Sequence, residues 1–389
     1  MALNMQRLKG VNLGSWLLME GYILGGRNIA ESEFKDNFKK VNGGGALKKF
    51  EYLFRDNFIK EDDFKNIAAM GANTIRVPFN YHLIEKKPYC YAEESFFYLK
   101  QALAWANKHK LGIILDLHAA PGAQNYDWHS DCRDRALFWE KEEYQERACL
   151  IWEQIIAQCK DMPALIGYDI INEPVIGKRS TGAVKRFYAK AIKRIRALDK
   201  KHIIFLEGDI WAQRIDYLKD LLGDNVCISI HTYQPLNYTF NFVPFYTFPG
   251  KIDNVLWNEK QIFKYLEPYY KFSKNNKTRI FVGEFGINWR GGFWGEIAWL
   301  TSILRAFEAF SFDYTYWTYK AIAGHIFPDG IYQYILNPDY VKREGPIFGW
   351  ENYIKYWKTD KQKIVEFWQT NNFTPNKEII ETLSKFYIK

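Results

Sequence analysis

Two glutamates close short apolar runs, Glu173 in Ile171-Asn172-Glu173-Pro174 and Glu284 in Gly283-Glu284-Phe285-Gly286. Other polar or aromatic residues end similar runs: Arg76 before Val77-Pro78, His118 after Asp116-Leu117, His231 and Tyr233 around Thr232, and Trp317 after Tyr316. Two carboxyl groups, without a His and Asp set at metal-ligand spacing beside them, suit hydrolysis of a glycosidic bond. One carboxyl group gives a proton to the leaving oxygen, and the other attacks the anomeric carbon or activates water. Neither a metal nor a cofactor is implied. The chemistry needs one group protonated and the other ionised. Arg76 and the Tyr233 hydroxyl would favour the charged form of Glu284, whereas Asn172, His231 and partial burial would keep Glu173 an acid.

The elements that must position these groups follow from the apolar pattern. Short runs over Leu8 to Leu13, Asn73 to Pro78, Gly112 to His118, Gly167 to Asn172, Ile203 to Glu207, Val226 to His231, Ile280 to Glu284 and Tyr314 to Trp317 read as strands. Several are apolar on both faces, as strands beneath a helical layer must be. Amphipathic segments over Glu94 to Lys108, Glu142 to Cys159, Val184 to Leu198 and Glu259 to Phe272 read as the intervening helices. Alternation of this kind, with no GxGxxG or GxxxxGK[ST] loop, predicts an α/β fold, a single (β/α)8 TIM barrel over residues 1–389. Its long connections, residues 14–61 and 319–376, follow strands one and eight. Gly43-Gly44-Gly45 in the first of them reads as a flexible loop.

In such a barrel the carboxyl ends of the strands carry the chemistry, and strands four and seven face each other across the mouth. A strand-end glutamate can also be a paired structural charge, but two of them in these settings argue for a site. Arg76 has a second reading as a brace for the barrel, His118 as a satisfied core group, and Trp317 as core packing instead of a platform for a sugar ring. Asp116 shares the side-chain direction of His118 one layer deeper and reads as structural. Glu207, which ends strand five, is a weaker candidate.

Composition narrows the class. The 389 residues are 48% apolar and 25% charged, enough for a large core and unlike a disordered or disulfide-stapled chain. A net charge of +8, spread in short clusters, does not call for nucleic acid. The 14 Trp, 26 Tyr and 29 Phe exceed ordinary core filling and suggest rings lining a cleft. The 5 Cys show no CxxC, which with an amino terminus lacking an apolar signal core points to a reducing, cytoplasmic setting. No apolar run has the length of a membrane span. The sequons at Asn237, Asn276 and Asn372 receive no role.

Taken together, Asn172-Glu173-Pro174, the Glu284 strand end, Arg76 before its proline, His118 and His231-Thr232-Tyr233 resemble glycoside hydrolase family 5 over roughly residues 8 to 320. The resemblance implies a retaining enzyme with Glu173 as acid/base and Glu284 as nucleophile. It implies that Asn172 holds the sugar 2-hydroxyl, that His231 and Tyr233 place the carboxylates, and that Arg76, His118 and Trp317 complete the subsite of the non-reducing-side sugar. Within the family, Gly10-Val11-Asn12-Leu13-Gly14-Ser15-Trp16-Leu17 followed by Glu20, and Asp116-Leu117-His118-Ala119-Ala120-Pro121-Gly122-Ala123-Gln124-Asn125, are similar to the fungal-type exo-β-1,3-glucanases. There the matching glutamate binds the terminal glucose, a role that falls to Glu20. The chain departs from that branch at Thr232, where a second histidine is usual, and at Phe285, where a tryptophan is usual.

The expectation is a retaining β-glucosidic-bond hydrolase acting on β-glucans or gluco-oligosaccharides, of the exo-β-1,3-glucanase or β-glucosidase type. The alternatives are an endo-β-1,4-glucanase with an open groove and a glycolipid β-glucosidase, the latter suggested by Phe240, Phe242, Phe245, Tyr246 and Phe248. A sugar-binding barrel without turnover is the reading from another class, and retention of both glutamates weighs against it.

Overall fold

The computed structural model describes residues 6–335 and 345–388. Each predicted apolar run contributes a strand: β1 (Lys9–Asn12), β2 (Thr74–Asn80), β3 (Gly112–Ala119), β4 (Leu165–Asp169), β5 (Ile203–Glu207), β6 (Val226–His231), β7 (Ile280–Phe285) and β8 (Asp313–Tyr316). They pair in parallel in chain order, and β8 closes onto β1 with Gly10 opposite Thr315. The helices are α1 (Glu31–Asn42), α2 (Gly44–Phe58), α3 (Glu61–Ala69), α4 (Phe97–Lys108), α5 (Glu142–Cys159), α6 (Gly182–Leu198), α7 (Glu259–Asn276), α8 (Glu296–Phe310), α9 (Trp350–Phe367) and α10 (Lys377–Tyr387). The fold is the (β/α)8 barrel that the pattern predicts. Between β5 and β6 a 3-10 turn over Asp216–Leu221 stands where the other crossovers have a longer helix. No helix among the described residues is long and apolar enough to cross a membrane.

Strand alternation sorts the side chains into two cores. Outward residues such as Ile113, Leu115 and Leu117 pack under the helices. Inward residues form a small apolar plug of Leu8, Ile114, Ile203, Phe205, Cys227 and Phe281 at the amino-terminal end of the barrel. Further along the strands the interior turns polar, with Asn12, Arg76, Asp116, Asp169, Glu207 and Ser229 all buried. One more step reaches His118 and His231 at the mouth. The plug and polar layer thus set the depth of the site.

The long connections after β1 and β8 carry helices of their own. Phe34 and Phe38 on α1, and Phe50, Phe54 and Phe58 on α2, recur at four-residue spacing and meet the aromatic face around α9. Phe34 and Trp350 have ring centroids 4.0 Å apart, Phe38 and Trp357 5.6 Å, and Phe54 and Trp368 5.0 Å. The glycine cluster differs from its expected loop. Gly43, with φ 89°, reverses the chain between α1 and α2, and Gly44 and Gly45 open α2. Helix-stabilising apolar stripes on both sides outweigh the poor helix propensity of the glycines. Residues 336–344 of the second connection lie outside the described residues.

A buried lysine ties this helical layer to the barrel. Lys320 Nζ donates to the carbonyls of Phe58 and, at 2.8 Å, Trp368, and to Thr370 Oγ1 at 2.8 Å. Phe58 ends α2 and Trp368 follows α9, so one lysine amino group, which burial lowers to about 7, satisfies two orphan helix-end carbonyls. Lys320→Met should leave both without a donor and destabilise the protein by about 2–6 kcal/mol, taking 1–3 kcal/mol per buried unsatisfied group. Urea unfolding measures this, and an unchanged midpoint would mean that the carbonyls find other donors.

Candidate active site

Arg76 organises the floor. Its guanidinium is fully buried and faces four carboxylates: Nε lies 2.9 Å from Asp169, Nη2 3.0 Å from Asp116 and 3.2 Å from Glu207, and Nη1 2.8 Å from Glu284. Nη2 also donates to Asn172 Oδ1 at 2.9 Å, and Nη1 to Asn12 Oδ1 at 3.2 Å. One cation cannot balance four anions in a dry interior. Burial resolves the excess by pushing Asp116 up to about 8 and Asp169 well above the usual carboxylate range. Glu207 ends lower than usual, because His231 and Arg76 outweigh its own burial.

Glu284 reaches the mouth through a local irregularity of β7. The register against β6 shifts between Val282 and Glu284, and Glu284 falls opposite His231. A Cβ at Gly283 would stand 2.8 Å from His231 Nε2 and 2.9 Å from Ser229 Oγ, so only glycine fits this inward position. Glu284 Oε1 accepts from Arg76 and Oε2 accepts from the Tyr233 hydroxyl, each at 2.8 Å. Phe285 points away from the mouth, edge-on to Phe307, Tyr314 and Tyr316.

Glu173 sits four residues beyond the end of β4 with φ 47°, an uncommon left-handed conformation for a residue with a side chain. Its N–H donates to Glu207 Oε2 at 2.6 Å and its carbonyl accepts from Asn125 Nδ2 at 3.0 Å, which hold the turn. The carboxylate lies between two imidazoles: Oε1 is 2.8 Å from His231 Nδ1 and Oε2 is 3.1 Å from His129 Nε2. Here the structure corrects the expectation for its proton. Burial raises Glu173, but the two histidines outweigh it and hold the carboxyl group well below the usual range. Asn172 does not act on it, since its amide is turned to Arg76 and, at 3.4 Å, to His118 Nε2.

Oxygens of Glu173 and Glu284 and a nitrogen of His231 lie within 4.8 Å of one another. His231 Nε2 is 3.1 Å from Glu207, on the side away from Glu173. Burial disfavours its charged form, yet Glu207 and Glu284 outweigh burial and raise it well above its ordinary value. The imidazolium therefore adds its positive charge to that of Arg76 among these carboxylates.

Seven of the nine residues singled out above, Glu20, His118, Glu173, His231, Tyr233, Glu284 and Trp317, line one cavity of about 260 Å³. Arg76 and Asn172 lie under its floor, as do Asp116 and Glu207. Asp116 Oδ2 is 2.7 Å from His118 Nδ1, and the His118 ring stacks on Trp317 at 5.4 Å and 11°. Burial lowers His118 to about 3, so its ring is neutral. Glu20 and the Trp128 indole N–H are buried and face each other, and neither Glu20 Oε1 nor Trp128 Nε1 makes a well-formed hydrogen bond to any other group of the protein. Burial pushes Glu20 up to about 8. Phe240, from the aromatic run singled out for a glycolipid, also lines the cavity, and so do Tyr22, Trp128, His129, Trp211 and Phe327, which sequence reasoning missed. Position after β3 was the available signal for Trp128 and His129. Phe327, by contrast, lies in the connection after β8, where no local pattern marks it.

The description "Cellulase (glycosyl hydrolase family 5)" matches residues 31–322. Among curated relatives the chain is 31% identical over 236 residues to a β-xylosidase of Phanerodontia chrysosporium, covering 59% of this chain and 49% of that one. It is 24% identical to endoglucanase C of Acetivibrio thermocellus, covering 74% and 92%. A sporulation-specific glucan 1,3-β-glucosidase of Saccharomyces cerevisiae is 28% identical, covering 61% and 52%. The chain thus spans about half the length of the first and third of these. Among solved structures, a glycoside hydrolase superposes with a TM-score of 0.67 at 18% identity over 98% of this chain and 99% of that one. Endoglucanase Cel5A of Thermotoga maritima superposes with 0.59 at 22% over 84% and 90%. These likenesses support the barrel, and the match over residues 31–322 places the chain in glycosyl hydrolase family 5.

Proposed function

We propose that the protein hydrolyses β-glucosidic bonds with retention of configuration, with Glu284 as nucleophile and Glu173 as acid/base. The observation that carries this reading is the spacing of the two carboxylates, with oxygens within 4.8 Å. Retaining enzymes keep the pair about 5–5.5 Å apart, and inverting enzymes leave about 6.5–9.5 Å for a water. Arg76 Nη1 and the Tyr233 hydroxyl each donate to Glu284 and aim it as the nucleophile. Glu173 stands on the other side of the anomeric carbon with its imidazole partners, placed to protonate the leaving oxygen and later to deprotonate water.

The substrate we favour is a β-1,3-linked glucan or gluco-oligosaccharide entered from its non-reducing end. Glu20, Tyr22, Trp128, Trp317 and Phe327 wall one end of the cavity, and the Glu20 carboxyl group and Trp128 Nε1, which face each other there, suit the hydroxyls of a terminal sugar. The glucan 1,3-β-glucosidase relatives support this reading, whereas endoglucanase C supports an endo-β-1,4 alternative. Chromatography of products over time from laminari- and cello-oligosaccharides of matched length separates the two. Glucose alone from the β-1,3 series is expected, and a spread of oligomers from the β-1,4 series would establish an endo-acting cleft instead.

Glu20→Ala should lower kcat/KM about 10- to 150-fold, the loss of a hydrogen bond to a charged or strongly polar group worth about 1.5–3 kcal/mol. The fall should be smaller on aryl glycosides of a sugar lacking the bonded hydroxyl. An equal fall on both would remove Glu20 from the terminal subsite.

A second reading concerns the leaving-group side. Leu236 and Phe240 line the cavity, and Phe240 lies 5.5 Å from the exposed Phe242 ring. This apolar rim suits a hydrophobic aglycone, as in the glycolipid glucosidase alternative. Comparison of octyl β-glucoside with cellobiose as substrates tests it, and a higher kcat/KM on the alkyl glucoside is the outcome in its favour.

A further inference from the structure

His129, in the connection after β3, touches Glu173 as closely as the strand-end histidine does, on the opposite carboxylate oxygen. Its Nε2 lies 3.1 Å from Glu173 Oε2 and 3.0 Å from Asn125 Nδ2. The orientation of Asn125 is fixed independently: Oδ1 accepts from the Asp127 N–H at 2.9 Å, and Nδ2 donates to the Glu173 carbonyl at 3.0 Å. A flipped amide would lose both bonds. The remaining Nδ2 hydrogen is the one that faces His129 Nε2.

Two arrangements of hydrogens are then open. If His129 Nε2 accepts from Asn125, it carries no hydrogen, and the hydrogen between the ring and Oε2 must belong to Glu173. In that arrangement Glu173 is an acid. If Nε2 carries the hydrogen and donates it to Oε2, Glu173 is a carboxylate and Asn125 faces a donor with a donor. The two arrangements differ by the position of one proton along one 3.1 Å contact, and the total number of protons is unchanged.

We infer that His129 is a positioning residue that holds the acid proton within one hydrogen bond of Glu173 between turnovers, returning it to Glu173 before the leaving oxygen is protonated and receiving it again after Glu173 has taken a proton from water. This rests on the reading of Glu173 as acid/base. In the first step the O–H bond of Glu173 breaks as its proton goes to the leaving glycosidic oxygen, and in the second Glu173 takes a proton from water. His129 supplies no net proton. It determines where the shared proton rests between turnovers. The balance favours the ring: burial lowers His129, but Glu173 outweighs burial and lifts it to about 9. The charged and titratable groups that face it are Glu173, Asp127 and Glu20, with His118 at a ring separation of 5.7 Å. Asp127 and Glu20 favour the imidazolium, and the neutral His118 leaves the balance to Glu173.

A pair that holds one proton up to about pH 9 keeps Glu173 supplied with acid through neutral pH. Without the ring, Glu173 stands against the His231 imidazolium alone and loses its proton at lower pH. The test is the pH profile of kcat/KM for wild type and His129→Asn on laminaribiose, which needs leaving-group protonation, and on 2,4-dinitrophenyl β-glucoside, which needs little. The expected result is a shift of the alkaline limb on laminaribiose by at least one pH unit. At pH 8 the loss on laminaribiose should also exceed that on the aryl glucoside by roughly tenfold or more, within the 10²–10⁴ range of proton-transfer catalysis. An unmoved limb, or equal losses on both substrates, overturns the inference.

Imidazole 15N spectra provide a second readout that needs no turnover and survives failure of the variant to fold. Replacing the carboxylate in Glu173→Gln should move the His129 titration to lower pH, and an unmoved titration overturns the inference. If wild type hydrolyses neither substrate, the functional reading fails, and the spectra still decide whether the proton is shared.

Discussion

Glu284→Ala is expected to lose at least about 10⁴-fold in kcat, in line with removal of a group that acts in the covalent step, and to regain turnover with added azide. Alanine leaves space where Glu284 met Arg76 Nη1 and the Tyr233 hydroxyl, each at 2.8 Å. Azide entering that space attacks the same face of the anomeric carbon that the carboxylate does. A single displacement then gives a glycosyl azide of inverted configuration, where wild type gives a retained product by two displacements. Recovery should be greatest with an aryl glucoside, because Glu173 then has little protonation to perform. Activity near wild type without azide would remove Glu284 from the mechanism.

The second large effect is on folding. Arg76→Met is expected to destabilise the protein by at least about 3–5 kcal/mol, the cost of removing one partner from a buried ion pair. The loss falls on several groups at once. Asp169, Asp116, Glu207 and Glu284 lose their shared cation, and Asn172 Oδ1 and Asn12 Oδ1 lose a donor. Arg76→Lys keeps the charge but presents one ammonium where a planar fork now reaches six side chains, so it should recover part of the stability. Urea unfolding followed by circular dichroism reads both variants. A stability loss under about 1 kcal/mol in Arg76→Met would mean that the carboxylates are neutralised by protonation and not by Arg76.

The barrel was legible because its strands are short apolar runs ended by chemistry-bearing residues, a pattern that depends on local sequence alone. Glu142–Cys159, free of Gly and Pro, forms a helix over the span read from its apolar face. The glycine cluster at residues 43–45 hid a helical hairpin, because the evidence for it is long-range: the Phe34, Phe38 and Phe54 stripes become meaningful only against Trp350, Trp357 and Trp368, some three hundred residues later. Glu173 and Glu284 could be found from their strand ends. The protonation of Glu173 could not, since His129 comes from a different connection and its contact depends on the left-handed turn at Glu173. Asp169 went unremarked for a similar reason. A carboxylate below the mouth looks like any buried charge until Arg76 is seen to bind it together with three others.

The most direct test of the central claim is mass spectrometry of the intact protein after incubation with 2,4-dinitrophenyl 2-deoxy-2-fluoro-β-glucoside, followed by peptide mapping. The fluorine slows both displacements and the good leaving group restores the first, so a glycosyl-enzyme should accumulate. One fluoroglucosyl group on the peptide that carries Glu284 is the predicted result. A label on another residue, or no label together with release of the α-anomer from a β-glucoside, would contradict a covalent intermediate on Glu284.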